Sequence, residues 1–516
     1  MESNTEDLQP NEVISPMEEK FENWRNKIGL LLGPLVFLIF YFFPYSSISY
    51  QAHTLSAILL WVIVWWITEP IPIPATSLLG AVLCVVFNVA DVKKIFAPFA
   101  DPIVFLFLGS FILAVSMSKH GIDKRFAMKI LTMKYVGKST ARLIFTFGAI
   151  TAFISMWISN TAATAMMLPI AIGIVTSVAK IVSEEKGIPI DPKKFRFGTA
   201  MMLMTAYSAS IGGIGTPVGT PPNLIGIAMI EKFAGLRISF FEWMMFAVPM
   251  LLIMFVFLFF LIYFLNKPEV SKLSTSSSYI SDAIKNLGKM KAGEINSIIA
   301  FFVTVLLWII PGVLAVIYGT ESDFYKTYNN HLPEAVAALI GASMLFLLPV
   351  SRKKLEFTIN WKDVVKIDWG TLILFGGGLS LGNLMFETKF ADYLGTSFIS
   401  FSGLDSVWGI TFAAIFIAII VSEATSNTAS ANMIVPVVIS ICIAGHINPI
   451  PPAIGATLGA SWGFMLPVST PPNAIVYGSG MVPITKMIRS GLVFDILGGL
   501  LIWIMLRLIL PIIHLV

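Results

Sequence analysis

Residues 143–179 read LIFTFGAITAFISMWISNTAATAMMLPIAIGIVTSVA, an apolar run of 37 residues without one charged side chain. A helical membrane span uses about 20 such residues, so the run is too long for one crossing and short for two. Its middle is Ser159-Asn160-Thr161, polar but neutral, where two full spans would place a charged, solvated loop. The stretch therefore reads as a hairpin that turns at membrane depth. Such a turn is tolerated only where it is buried in protein or lines a cavity.

Working outward, the rest of the chain has the same solvent. Of 516 residues 56% are hydrophobic and 12% charged, against roughly 25% charged in soluble proteins, and the mean hydropathy is +0.83. Further apolar stretches fall at 28–43, 51–68, 74–90, 102–118, 197–230, 243–265, 296–318, 333–350, 370–386, 405–444, 451–480 and 490–513. The expected fold is an all-α polytopic membrane protein with about eleven crossings and two re-entrant hairpins, the second at 405–444. A net charge of +4, scattered along the chain, gives no footprint for nucleic acid. The first 27 residues lack a basic n-region and a small-residue cleavage site, so no cleaved leader is expected. Cys84 and Cys442 sit in apolar runs, outside any CxxC or metal spacing, and read as small core residues.

Loop charge orients the spans, because cytoplasmic loops hold the excess of Lys and Arg. With the N-terminus inside and both hairpins returning to the side they came from, 27 of the 34 Lys and Arg fall inside and 6 outside, Arg507 lying within the last span. That topology expects a cytoplasmic N-terminus and an extracellular C-terminus in the plasma membrane. A Ser- and Lys-rich segment at 266–293 then serves as a cytoplasmic linker between two halves.

The halves repeat. Ser159-Asn160-Thr161-Ala162 returns as Ser426-Asn427-Thr428-Ala429, 267 residues later, and Asp101 through Gly109 returns at the same offset as Asp368 through Gly376. Pro217-Val218-Gly219-Thr220-Pro221-Pro222-Asn223 returns as Pro467-Val468-Ser469-Thr470-Pro471-Pro472-Asn473 at an offset of 250. Three motifs in one order indicate duplication. The loop charges bring the two hairpins in from opposite faces, as in transporters built from inverted repeats with a midplane site.

Each TPPN segment must break its helix, since paired prolines remove donors and push the preceding threonine out of helical dihedrals. Gly212, Gly213, Gly215 and Gly219 are read as loosening the first break further. A break at membrane depth exposes free N–H groups and free carbonyls. Helix N-termini favour an anion, and unwound carbonyls with Ser, Thr and Asn oxygens suit a hard cation. No Lys, Arg or His lies in either tip or break. Glu423, just before the second tip, has Met156 as its counterpart, which favours a local polar role over a proton relay. No convergent His, Asp or Cys set supports an enzyme, and the tips carry no ring-forming selectivity motif of a channel.

At the paired SNT tips, the GTPPN and STPPN breaks and the WWITEPIPIPATSLL stretch from Trp65 to Leu79, the chain resembles the divalent anion/sodium symporter family, the INDY-type dicarboxylate transporters. The resemblance covers nearly everything after residue 27. It implies a homodimer of elevator-type protomers, each with scaffold parts at 28–138 and 294–403 and transport parts at 139–265 and 404–516, behind a tail at 1–27. It also implies a small dicarboxylate substrate of the succinate, malate, fumarate or 2-oxoglutarate type. Na⁺ would be the coupling ion, and no cofactor would be covalently attached. Cation-independent exchange, or transport of sulfate or citrate, is the alternative within the family. Carried over by position, substrate would meet Ser159, Asn160, Thr161, Thr220, Pro221, Ser426, Asn427, Thr428, Thr470 and Pro471. One sodium would meet Ser155, Ser159, Asn160 and the Gly219 carbonyl, and a second Ser422, Thr425, Asn427 and the Ser469 carbonyl.

Overall fold

A computed structural model describes residues 16–43, 48–131, 139–186, 190–271, 288–319, 321–403, 406–513 and 515. The expected tail through residue 15 and most of the expected linker, 272–287, lie outside the described residues. The first half runs through helices Pro16–Phe42, Tyr50–Thr68, Ile73–Val86, Pro102–His120 and the amphipathic Ile122–Leu131. It continues as a hairpin of Thr140–Ser155 and Asn160–Lys186, a broken pair Arg196–Gly213 and Pro221–Met229, and a closing span Phe240–Leu265. From Tyr50–Thr68 onward the second half repeats this order: Ala292–Tyr318, Glu334–Leu347, Trp369–Glu387, Phe390–Ser402, the hairpin Val407–Ala424 and Asn427–Ala444, the broken pair Ile450–Ala460 and Pro471–Gly478, and Ile484–Ile509. The one pair of strands among the described residues is the short ribbon Pro349–Ser351 with Glu356–Phe357.

Ten of the described helices are long and apolar enough to cross a membrane, or eleven if Asp323–His331 and Glu334–Leu347 form one span bent by 48°. Three of the ten are hairpin arms, so the returning arm Asn160–Lys186 runs farther than the apolar pattern alone suggests. The chain is an all-helical, multi-pass membrane protein.

Small residues set the closest helix contacts, as expected where lipid supplies no hydrophobic drive between helices. A Cβ on Gly109 would come within 2.6 Å of the Ala338 Cβ, and one on Gly377 within 2.6 Å of the Ser77 Cβ. Trp65 Nε1 donates to the Gly29 carbonyl at 2.8 Å and ties the first two helices together. The helix Arg196–Gly213 is buried at every residue from Phe197 onward, and Ile450–Ala460 is buried throughout. Both are apolar or small all round, the composition of a helix with no outward face. They form the centre against which the hairpins pack. Cys84 and Cys442 are free and buried.

Candidate functional site

Both hairpins turn at their SNT tripeptides, and each tip is an N-cap. Ser159 Oγ accepts from the Ala162 amide at 3.2 Å, and Ser426 Oγ from the Ala429 amide at 3.2 Å. The returning helices therefore begin at Asn160 and Asn427, with the positive ends of their dipoles at the tips. The asparagine side chains fold back onto the descending arms. Ser155 Oγ donates to Asn160 Oδ1 at 2.7 Å, and Ser422 Oγ reaches Asn427 Oδ1 at 2.8 Å. One bond thus recurs in both halves at the same five-residue spacing.

The breaks are pinned just as symmetrically. Asn223 Nδ2 donates to the carbonyls of Gly213 (2.9 Å) and Thr216 (2.8 Å), and Asn473 Nδ2 to those of Gly463 (3.3 Å) and Leu466 (3.0 Å). Each TPPN asparagine therefore staples its own break closed and fixes where the unwound carbonyls point. Further anchors come from Trp243 Nε1 to the Ile214 carbonyl (2.9 Å) and Tyr207 Oη to the Phe464 carbonyl (2.7 Å). The glycines of the first break do something other than loosen it. Gly212, Gly213, Gly215 and Gly219 all have ordinary negative φ. A Cβ on Gly212 would lie 2.2 Å from the Ala152 carbonyl oxygen, and one on Gly213 would lie 2.3 Å from Asn160 Oδ1. These two positions are empty so that the hairpin can lie directly on the break.

The four features open onto one cavity of about 570 Å³. Ser159, Asn160, Thr161, Thr220, Pro221, Ser426, Asn427, Thr428, Thr470 and Pro471 all line it, together with Gly219. The helices that start at Asn160, Pro221, Asn427 and Pro471 thus all begin at its wall. Thr425 and Ser469 line an adjoining cavity, and Ser155 and Ser422 are buried behind the tips. Ser422 Oγ also lies 2.8 Å from the Ala460 carbonyl, so its single proton is shared between two acceptors. Thr425 Oγ1 donates to the Trp66 carbonyl at 2.9 Å. Among the described residues no group of His, Cys, Asp and Glu has the arrangement of a tight metal centre.

Some lining residues escaped the sequence. Among the described residues, Lys366 is the single cationic side chain on the cavity wall and Asp368 the single anionic one. Asp368 caps the helix Trp369–Glu387, accepting from the Thr371 amide at 3.0 Å. Its place in the repeat with Asp101 was the signal for it. Lys366 had none, because a lysine in a basic loop looks like any other.

Glu423 takes its place in the same framework. Its carboxylate accepts from the amides of Met465 (2.7 Å) and Leu466 (3.3 Å) and from the Ser469 hydroxyl. In the first half the corresponding junction uses the Thr216 hydroxyl on the Met156 carbonyl, which explains why no acid is needed there. Glu423→Gln removes the charge that the Met465 and Leu466 amides meet and leaves one of its two acceptor oxygens replaced by an N–H₂ group. The expected cost is about 1–3 kcal/mol, read as a lowered Tm of the detergent-purified protein.

The family model described as "Sodium:sulfate symporter transmembrane region" matches residues 25–513. The sodium-dependent dicarboxylate transporter SdcS of Staphylococcus saprophyticus is 34% identical over 500 residues, covering 96% of this chain and 93% of that protein. SdcS of Staphylococcus aureus (strain USA300) is 33% identical over 491 residues, covering 94% and 91%. In fold, the chain is similar to MtrF of Neisseria gonorrhoeae, with a TM-score of 0.52 at 14% identity over 94% of this chain and 97% of that one. The chain belongs to the sodium:sulfate symporter family and is a multi-pass membrane transport protein.

Proposed function

We propose that the protein is a secondary active transporter of small di- and tricarboxylate anions of the succinate, malate, fumarate or 2-oxoglutarate type, coupled to Na⁺. The carrying observation is the convergence of four helix N-termini and two asparagine tips on one cavity. Helix N-termini attract negative charge through backbone N–H groups, which add to the one lysine on the wall, Lys366. The tip amides and the Ser, Thr hydroxyls supply donors to carboxylate oxygens at both ends of the cavity. A C4 or C6 anion fits within about 570 Å³. The names of the staphylococcal relatives agree with this chemistry.

The cation reading rests on oxygens left short of protons. Around the second tip Ser422 Oγ, Asn427 Oδ1 and the Ala460 carbonyl meet with one proton among them. Around the first, Ser155 Oγ donates to Asn160 Oδ1, which lies against Gly213, whose carbonyl in turn packs on Gly219. Na⁺ bound there would add positive charge beneath the anion, so each ligand would strengthen the other. Ser159 and Asn160, with Ser155 and the Gly219 carbonyl, would hold one ion. Ser422, Thr425, Asn427 and the Ser469 carbonyl would hold the other.

Alternating access would follow from the repeat. The substrate cavity is flanked by Ile73, Pro74 and Asp368, on the face that loop charge assigns to the cytoplasm. A second cavity of about 440 Å³ is lined by Asp101, the repeat counterpart of Asp368, and by Pro102, Glu334 and Ala335, where Arg237 pairs with Glu334. An elevator motion of the parts at 139–265 and 404–516 against those at 28–138 and 294–403 would exchange one opening for the other. The homodimer, the cytoplasmic N-terminus and the extracellular C-terminus in the plasma membrane belong to the same proposal, the dimer resting on the family resemblance and the termini on loop charge.

The test is uptake of labelled succinate into proteoliposomes. An inward sodium gradient is expected to drive accumulation, and collapse of the gradient to stop it. Uptake that ignores sodium but needs dicarboxylate inside would instead identify an exchanger.

A further inference from the structure

We propose that the second cation site opens to the cytoplasmic face through a side cavity of its own, separate from the anion's, whose wall carboxylates Glu22 and Glu69 draw the ion in. The proposal rests on the Na⁺-coupled reading of the site and deepens it.

The side cavity has a volume of about 270 Å³ and lies against the second break. Thr425 and Ser469, both assigned to the second ion, line it and are absent from the wall of the substrate cavity. Ile73, Ser426, Thr470 and Pro471 line both cavities, so the two adjoin along these residues. The first ion's Ser159, Asn160 and Gly219 open instead onto the substrate cavity. The second site, whose Asn427 also lines the substrate cavity, therefore has a further way out through the side cavity that the first site lacks, although their ligands repeat.

The outer part of the side cavity is charged. Glu22 and Arg25 come from the first helix, which has no counterpart in the repeat, and Glu69 from the turn after the second. Glu69 is held in the left-handed region (φ 49°) with its amide donating to the Trp65 carbonyl, which fixes where its side chain departs. Burial raises the Glu69 carboxyl above its ordinary range, Arg25 opposes the rise and Glu22 adds to it. A carboxylate short of water gains most from a nearby small cation. Two acids and one base in a narrow, low-dielectric cavity raise the local cation concentration and repel a dianion. The anion then leaves past Lys366, which carries the opposite sign.

The experiment compares wild type with Glu22→Gln/Glu69→Gln and with Gly478→Phe in proteoliposomes, varying sodium and succinate separately. Gly478 lines the side cavity and a Cβ built on it meets nothing within 4 Å, so the position has room for a larger side chain that narrows the cavity. The double variant is expected to raise the half-saturating sodium concentration about 3- to 10-fold while the succinate KM at saturating sodium changes less than about 2-fold. Gly478→Phe is expected to slow turnover at saturating sodium and succinate and leave succinate binding intact. Loss of neutral-to-charged contrast, seen as an unchanged sodium half-saturation in the double variant or as equal shifts for sodium and succinate, overturns the separate path. Full turnover in Gly478→Phe overturns it as well. Sodium-indifferent uptake by wild type would instead bring down the coupling reading beneath it.

Discussion

Alanine at Asn160 or at Asn427 is expected to lower succinate uptake by at least about 100-fold, with the fold retained. Each asparagine does three things at once. Its Oδ1 accepts from the serine five residues earlier, its backbone begins the returning half-helix, and its side chain faces the shared cavity. Truncation removes a cavity-lining amide and, with it, an oxygen of the proposed cation cluster. Loss of a well-oriented hydrogen bond to a charged group costs about 1.5–3 kcal/mol, and loss of coupled cation binding multiplies that effect in transport. The helices themselves keep their caps, because Ser159 and Ser426 remain. Uptake and thermal melting measured on the same preparations separate the two consequences. Normal uptake by both variants would remove the tips from the site.

A methyl group added at Gly213 and one added at Gly212 are expected to fail in different ways. At Gly213 the new Cβ would lie 2.3 Å from Asn160 Oδ1, the end of a side chain that can swing aside. The protein should fold and lose transport, because the displaced amide is the one proposed to hold the first cation. At Gly212 the new Cβ would lie 2.2 Å from the Ala152 carbonyl oxygen, with the backbone Cα and C close behind. A backbone cannot swing aside, so Gly212→Ala should cost about 1–3 kcal/mol of stability or more and depress Tm. Melting curves and sodium half-saturation on the two variants check the contrast. Equal behaviour would mean that the hairpin does not sit on the break as described.

Much of this was legible in the sequence because duplication writes a site twice. The SNT tips, the TPPN breaks and the Asp101 and Asp368 positions are each fixed by recurrence, and the apolar runs located the spans. What stayed hidden was tertiary. Gly212 and Gly213 look like flexible residues in a one-dimensional reading, yet they are sites of close approach between a hairpin and a break 50 residues or more away. The TPPN asparagines were quoted as motif letters, while their work of holding carbonyls seven and ten residues back needs the folded break to be seen. Glu423 could not be assigned because its partners, Met465, Leu466 and Ser469, are more than 40 residues on, in the second break. Lys366 carries no pattern at all, and only the shape of the cavity brings it to the substrate path.

The central claim is that one cavity between the two tips binds the anion together with Na⁺. It is tested most directly by equilibrium binding of labelled succinate to the purified protein, with sodium or with choline as the cation. Saturable binding that appears in sodium, vanishes in choline and is lost in both Asn160→Ala and Asn427→Ala is the expected result. Equal binding in the two salts, or undiminished sodium-dependent binding by both variants, would contradict it.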